Sequence, residues 1–136
     1  MKVLADTSVW SLALRRSRAA PESATVDELG RLIRSYRVVL IGPVRQELLS
    51  GIRFVEQYEK LRERLRAFPD LQIRTEDYEL AAKFFNLCRT SGVQGSNTDF
   101  LICAVAVSRE MPVYTTDRDF DAYARILDLK LHVPEV

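Results

Sequence analysis

Strand-type runs alternate with helix-type periodicity along this chain, and the joints between them are short and rich in turn residues. Lys2–Ala5 reads as a strand cut off by Asp6-Thr7-Ser8, followed by a helix over 9–16 and a loop over 17–23 that contains Pro21. Val26, Leu29, Leu32 and Ile33 share one helical face within 25–36. Val38-Val39-Leu40-Ile41 is a β-branched run ended by Gly42-Pro43, and Pro43 suits the first position of a helix over 44–50. Phe54, Tyr58, Leu61 and Leu65 repeat as an amphipathic helix closed by Pro69, and a brief strand is expected at 71–73. A helix over 76–88, a loop over 92–96 and a helix over 100–107 follow. The chain ends with a strand at 112–115, a helix over 117–127 and a last strand at 129–133. Crossover helices return each strand in the same direction, so this alternation predicts an α/β fold with a mostly parallel open sheet and helices on both faces. In such sheets ligands bind beyond the carboxyl ends of the strands, which says where to look for a site.

With 136 residues the expectation is a single domain, 1–136, with a real core. Lys and Arg total 20 against 19 Asp and Glu, so net charge does not point to a polyanionic partner. Only Lys2, Lys60, Lys83 and Lys130 are lysines; the other basic residues are arginines, whose planar fork suits phosphate but whose excess also follows from genomic base composition. No run approaches the roughly 20 apolar residues of a membrane span. Asp6 interrupts any signal-peptide layout, and a cytoplasmic location is expected. Cys88 and Cys103 both fall in apolar helical patterns without metal-type spacing, and read as reduced core residues. The single histidine, His132, lies in the last strand and is expected to be structural.

Four acids from distant parts of the chain are predicted to meet at one rim of the sheet. Asp6 follows the first strand directly, Asp117 follows the strand at 112–115, and Glu47 and Asp99 lie near the starts of helices expected at that same edge. Singly, each has a plainer explanation: Asp6 and Asp117 suit N-caps, Ser96-x-x-Asp99 and Thr116-x-x-Asp119 resemble capping boxes, and Glu47 suits a solvated helix face. Together, four clustered carboxylates repel one another unless a positive charge sits among them. Oxygen donors without His or Cys suit Mg²⁺ or Mn²⁺ and not zinc. Such a site suits metal-assisted hydrolysis of a phosphodiester. There is no G-x-x-x-x-G-K-[ST] loop, no dinucleotide fingerprint after the first strand and no histidine placed for nucleophilic catalysis.

The ordered set LADTSVW, GPVRQELLSG, SNTDFLICAVA and TTDRDF resembles the PIN-domain nucleases, and within them the VapC toxins of toxin–antitoxin pairs. The likeness runs from Lys2 to the C-terminus. It implies a PIN-like three-layer α/β/α sandwich with a central sheet of 4–5 strands, and a Mg²⁺- or Mn²⁺-dependent endoribonuclease silenced by a cognate antitoxin. Its catalytic acids fall on Asp6, Glu47, Asp99 and Asp117, with Asp6, Asp99 and Asp117 on the metal and Glu47 orienting or deprotonating the attacking water. Thr7, Ser8, Thr115 and Asp119 are implied to support the site, Thr7 and Ser8 by holding metal waters or a phosphate oxygen. The family often carries alanine where Cys103 stands, a small-for-small difference away from the acids.

The same resemblance implies an RNA substrate, often tRNA or ribosomal RNA, a homodimer and no membrane partner. Arg15, Arg16 and Arg18 form a basic stretch that either tracks RNA phosphates or is a solvated helix end. The Phe54–Leu65 stripe is either core or, with Trp10, part of a groove for the antitoxin tail. Two alternatives compete: a PIN-type nuclease of RNA maturation or single-stranded DNA without an antitoxin, and a non-catalytic Mg²⁺-binding receiver-type module. The receiver reading lacks a lone aspartate at the end of a middle strand and a lysine after a late one.

Overall fold

The computed structural model describes residues 1–14 and 20–134, the side chains of 20–23 excepted. The elements run β1 (Val3–Ala5), α1 (Thr7–Leu14), α2 (Ala20–Arg34), β2 (Val38–Val39), α3 (Gly42–Leu49), α4 (Val55–Leu65), α5 (Thr75–Thr90), α6 (Asn97–Ser108), β3 (Val113–Tyr114) and α7 (Asp119–Ile126). The expected strand–helix alternation is present, and the three layers are α/β/α.

The three strands lie in the order β2-β1-β3, all parallel. Val3 and Leu4 pair with Val38 and Val39 on one side, and Leu4 and Ala5 with Val113 and Tyr114 on the other. The expectation of four or five strands is corrected. Among the described residues the expected strands at 71–73 and 129–133 are each replaced by a single parallel bridge, Leu40 with Asp70 just before 71–73 and Val113 with Leu131 within 129–133. In the run 71–73 the Gln72 carbonyl is taken by a side chain, Arg109 donating to it at 3.0 Å. A charged donor satisfies a carbonyl as well as a neighbouring strand does.

A second correction concerns the expected loop over 17–23: residues 20–23 are already helical. Pro21 lies within the helical residues. Residues 15–19, and with them Arg15, Arg16 and Arg18, lie outside the described residues.

The core forms where apolar patterning is densest. Phe100 to Ala106 are all buried, so α6 is enclosed on nearly every side, as a helix apolar all round must be. It packs against α5 and β3, while α1 packs against α2 and α3. A bidentate pair ties the two ends of the α5–α6 layer: Arg109, at the end of α6, meets both oxygens of buried Asp77 at 2.9 Å, and Asp77 also accepts the Arg74 N–H at 2.8 Å. Those Arg109 bonds hold the Asp77 carboxyl below the usual carboxylate range despite its burial.

His132 is structural among the described residues, its Nε2 lying 2.6 Å from Glu28 Oε2 and its ring edge-on to Tyr114. Cys88 and Cys103 are buried and free, and burial pushes both thiols up. The Phe54–Leu65 stripe divides: Leu65 is core, whereas Phe54 and Tyr58 are exposed. No described helix is long and apolar enough to cross a membrane.

Candidate active site

The strand order reverses at β1: the chain leaves it for β2 on one side and returns to β3 on the other. A crevice opens at such a switch point, beyond the carboxyl ends of the two strands. Asp6 is the first residue after β1 and Thr115 the first after β3. The Asp6 N–H donates to the Tyr114 carbonyl at 2.9 Å, which carries the sheet bonding one step further.

Asp6 is buried, and its Oδ2 accepts hydroxyls from both sides, Ser8 Oγ at 2.9 Å and Thr115 Oγ1 at 2.8 Å. It also stands before α1, and its backbone carbonyl accepts the Val9 N–H at 3.1 Å. The capping contact from its carboxylate is the long one, 3.5 Å from the Ser8 N–H. Asp6 therefore caps weakly and ties β1 to β3 strongly. Ser8 Oγ in turn accepts the Thr116 N–H at 3.0 Å, and Thr115 Oγ1 accepts the Asp117 N–H at 2.9 Å. This short network fixes the turn that carries Asp117.

The two capping motifs resolve differently. Ser96 Oγ accepts the Asp99 N–H at 3.1 Å, so Ser96 is the N-cap of α6. The return half of that box is replaced: Asp99 Oδ2 accepts the hydroxyl of Tyr123, on α7, at 2.7 Å. At α7 the expected Thr116–Asp119 box gives way to an aspartate turn in which Asp117 Oδ1 accepts the Asp119 N–H at 2.9 Å. Both changes aim carboxylates at the crevice. Glu47 lies in the second turn of α3, which begins two residues before the expected start, and accepts the Thr7 hydroxyl at 2.6 Å. Thr7 and Ser8, expected to support the site, bond the carboxylates of Glu47 and Asp6.

Among the described residues, Asp99, Asp117 and Asp119 each offer a carboxylate oxygen within 4.8 Å of the others. The sequence had paired Asp99 and Asp117 with Asp6; the structure adds Asp119 to the tight group, because the aspartate turn folds it back beside Asp117. Burial pushes the Asp99 carboxyl above the usual range, and the charges of Asp6 and Asp117 push the same way. The hydrogen bonds from Tyr123 and Ser96 oppose that shift only partly. An all-oxygen donor set that disfavours its own charge fits a hard dication, which takes carboxylate oxygens and removes the repulsion. Tyr123 and Gly95, which passes close over it, went unread in the sequence: a tyrosine among the apolar residues of a helix carries no local mark of its partner.

A family model described as "PIN domain" matches residues 3–126. A comparison with the curated proteins matches none of them. Among solved structures the chain is similar to FitAcB from Neisseria gonorrhoeae, with 24% identity, TM-score 0.77 and 97% of each chain covered. It is also similar to VapBC2 from Rickettsia felis, solved with a DNA fragment from its promoter, at 17% identity and TM-score 0.78 over 97% of this chain and 98% of that one. VapBC-5 from Mycobacterium tuberculosis, described as a member of a family of toxin–antitoxin systems, shares 24% identity and a TM-score of 0.66, with 97% of this chain and 98% of that one covered. At these identities the likeness speaks for the fold. The chain belongs to the PIN domain family.

Proposed function

We propose that this protein is a divalent-cation-dependent endoribonuclease of VapC type, the toxin of a toxin–antitoxin pair. The observation that carries the reading is the meeting of Asp99, Asp117 and Asp119 at the switch point of the sheet, near enough to Asp6 for its charge to act on Asp99, with Glu47 held by Thr7. Asp99 and Asp117, with Asp6 near them, would hold Mg²⁺ or Mn²⁺, with Asp119 as a further donor or a support. A cation held there would supply positive charge against that building on the phosphate in the transition state.

The chain's own residues supply the rest. Glu47 is exposed, so its carboxylate meets water at the mouth of the crevice, and the Thr7 hydroxyl fixes one of its oxygens. It orients the attacking water and takes its proton as the oxygen adds to phosphorus and the P–O bond of the chain breaks. Ser8 and Thr115 hold the Asp6 carboxylate in place throughout.

The substrate is RNA, of the tRNA or ribosomal RNA class, and the protein works in the cytoplasm as a homodimer. A cognate antitoxin silences it by seating its tail on an apolar surface. A groove lined by Leu14, Leu48, Ile52, Leu61, Lys60 and Arg64 supports this, running between α1, α3 and α4. Trp10, buried against Phe68, backs that region from inside.

The test is to sequence RNA ends after brief induction of wild type and Asp99→Asn. Discrete cuts present only with wild type are expected. Identical ends from the two proteins refute the assignment. Growth arrest on expression alone, relieved by a neighbouring gene product, distinguishes a toxin from a PIN nuclease of RNA maturation.

A further inference from the structure

The carboxylate of Asp99 is anchored from beneath. Tyr123 is fully buried, its ring held between Phe100, 5.0 Å away centroid to centroid and tilted, and Phe120, 5.1 Å away and edge-on. A phenol so enclosed has no solvent partner, and buried hydroxyls find one in the protein. Here it is Asp99 Oδ2, at 2.7 Å. The approach depends on a gap in the loop before α6. A Cβ at residue 95 would lie 2.2 Å from the Tyr123 hydroxyl oxygen, 2.8 Å from its Cζ and 3.0 Å from the Phe100 ring, so only glycine lets the chain pass there.

We propose that Tyr123 is the positioning residue of the acidic cluster and Gly95 the gap that lets its hydroxyl reach Asp99. The proposal rests on the reading of the cluster as a cation site and deepens it. The last torsion of an aspartate is broad, so an unanchored carboxylate turns freely about it. With Oδ2 committed to a phenol that cannot move, the carboxylate plane is set before a cation arrives. The hydrogen bond also offsets part of the repulsion that Asp99 feels from Asp6 and Asp117 while the site is empty of charge compensation. Partners that orient a ligating group in this way change cation affinity by about 10–100-fold when removed.

The experiment titrates full-length, chelator-treated protein with Mn²⁺ and follows free Mn²⁺ by electron paramagnetic resonance. Wild type is compared with Tyr123→Phe, Gly95→Ala, the double variant and Asp99→Asn. Tyr123→Phe, which keeps the ring and loses only the donor, is expected to bind Mn²⁺ roughly tenfold more weakly. Gly95→Ala should weaken binding to a similar extent. The double variant should be no weaker than the worse single one, because both break one contact. RNA cleavage by Tyr123→Phe should recover as Mn²⁺ is raised, which a general loss of structure would not allow. Should Tyr123→Phe fail to fold by circular dichroism, Gly95→Ala alone decides. The proposal is overturned if Tyr123→Phe, or in that case Gly95→Ala, binds within twofold of wild type while Asp99→Asn loses binding. Wild-type binding by Asp99→Asn overturns the cation-site reading itself, a separate failure.

Discussion

Single side chains at the crevice do two jobs, and the balance between them can be measured. Thr7 and Glu47 are forty residues apart in sequence and joined by one hydrogen bond of 2.6 Å. Thr7→Val keeps the shape of the side chain and removes the donor. Cleavage is expected to fall roughly 10–100-fold, as small misplacements of a reacting group do, with an unchanged circular dichroism spectrum. Cleavage at the wild-type rate would cut Glu47's tether out of the mechanism.

Asp99 gives the second residue-scale prediction. Its carboxyl lies above the usual range because burial, Asp6 and Asp117 all disfavour its charge. Between the unfolded value and the raised folded one, the native state binds more protons than the unfolded state, so this group's contribution to stability rises as pH falls. At neutral pH the ionised group destabilises the cation-free protein. Asp99→Asn removes the charge and keeps an acceptor for Tyr123, so chelator-treated Asp99→Asn should melt above wild type at pH 7 to 8. The difference should shrink as pH falls towards the carboxylate range. A lower melting temperature for the variant at neutral pH contradicts this account.

Elements are held less by ladders than by charged clamps. The sheet is three short strands, so the ends of the helical layers need other ties, and Arg109 with Asp77 supplies one across α5 and α6. Asp77→Ala leaves the Arg109 guanidinium and the Arg74 N–H without their acceptor, and should cost about 2–3 kcal/mol in urea unfolding. Because the folded Asp77 carboxyl is held low, its contribution is present above its unfolded value and disappears as pH falls through the folded one. The gap between wild type and variant should therefore close in acid. At this scale the sequence was informative wherever an element had strong patterning. The buried helix α6 and the strand β1 stand where their apolar runs lie. The fourth and fifth strands are single bridges, Leu40 with Asp70 and Val113 with Leu131, and at the first of them the neighbouring Gln72 carbonyl goes to Arg109, which lies 37 residues away.

The whole molecule is organised by the reversal of strand order at β1, beyond which Asp99, Asp117 and Asp119 meet, with the charge of Asp6 acting on Asp99. A cation that binds only this folded arrangement must stabilise it by mass action, by about 2.7 kcal/mol at a hundred times its dissociation constant. Mn²⁺ or Mg²⁺ should raise the melting temperature of wild type in proportion, and should leave Asp99→Asn nearly unmoved. Equal shifts in both proteins would place the bound cation elsewhere.

By itself the sequence determined the class of fold and pointed to the sheet edge at which Asp99 and Asp117 meet. Both follow from local periodicity plus the requirement that parallel strands be joined by crossovers, and neither needs a side chain's exact neighbours. Only the tertiary structure decided how those acids are used. Asp6 is a weak cap and a strong link between β1 and β3; Asp119 joins the tight group through a turn at Asp117; and Asp99 gives up the return half of its capping box to Tyr123. The physical reason is common to all three. A carboxylate's best donor is chosen by distance in space, and the donors that won, Thr115 from 109 residues away and Tyr123 from 24, have no local pattern linking them to the acids they hold.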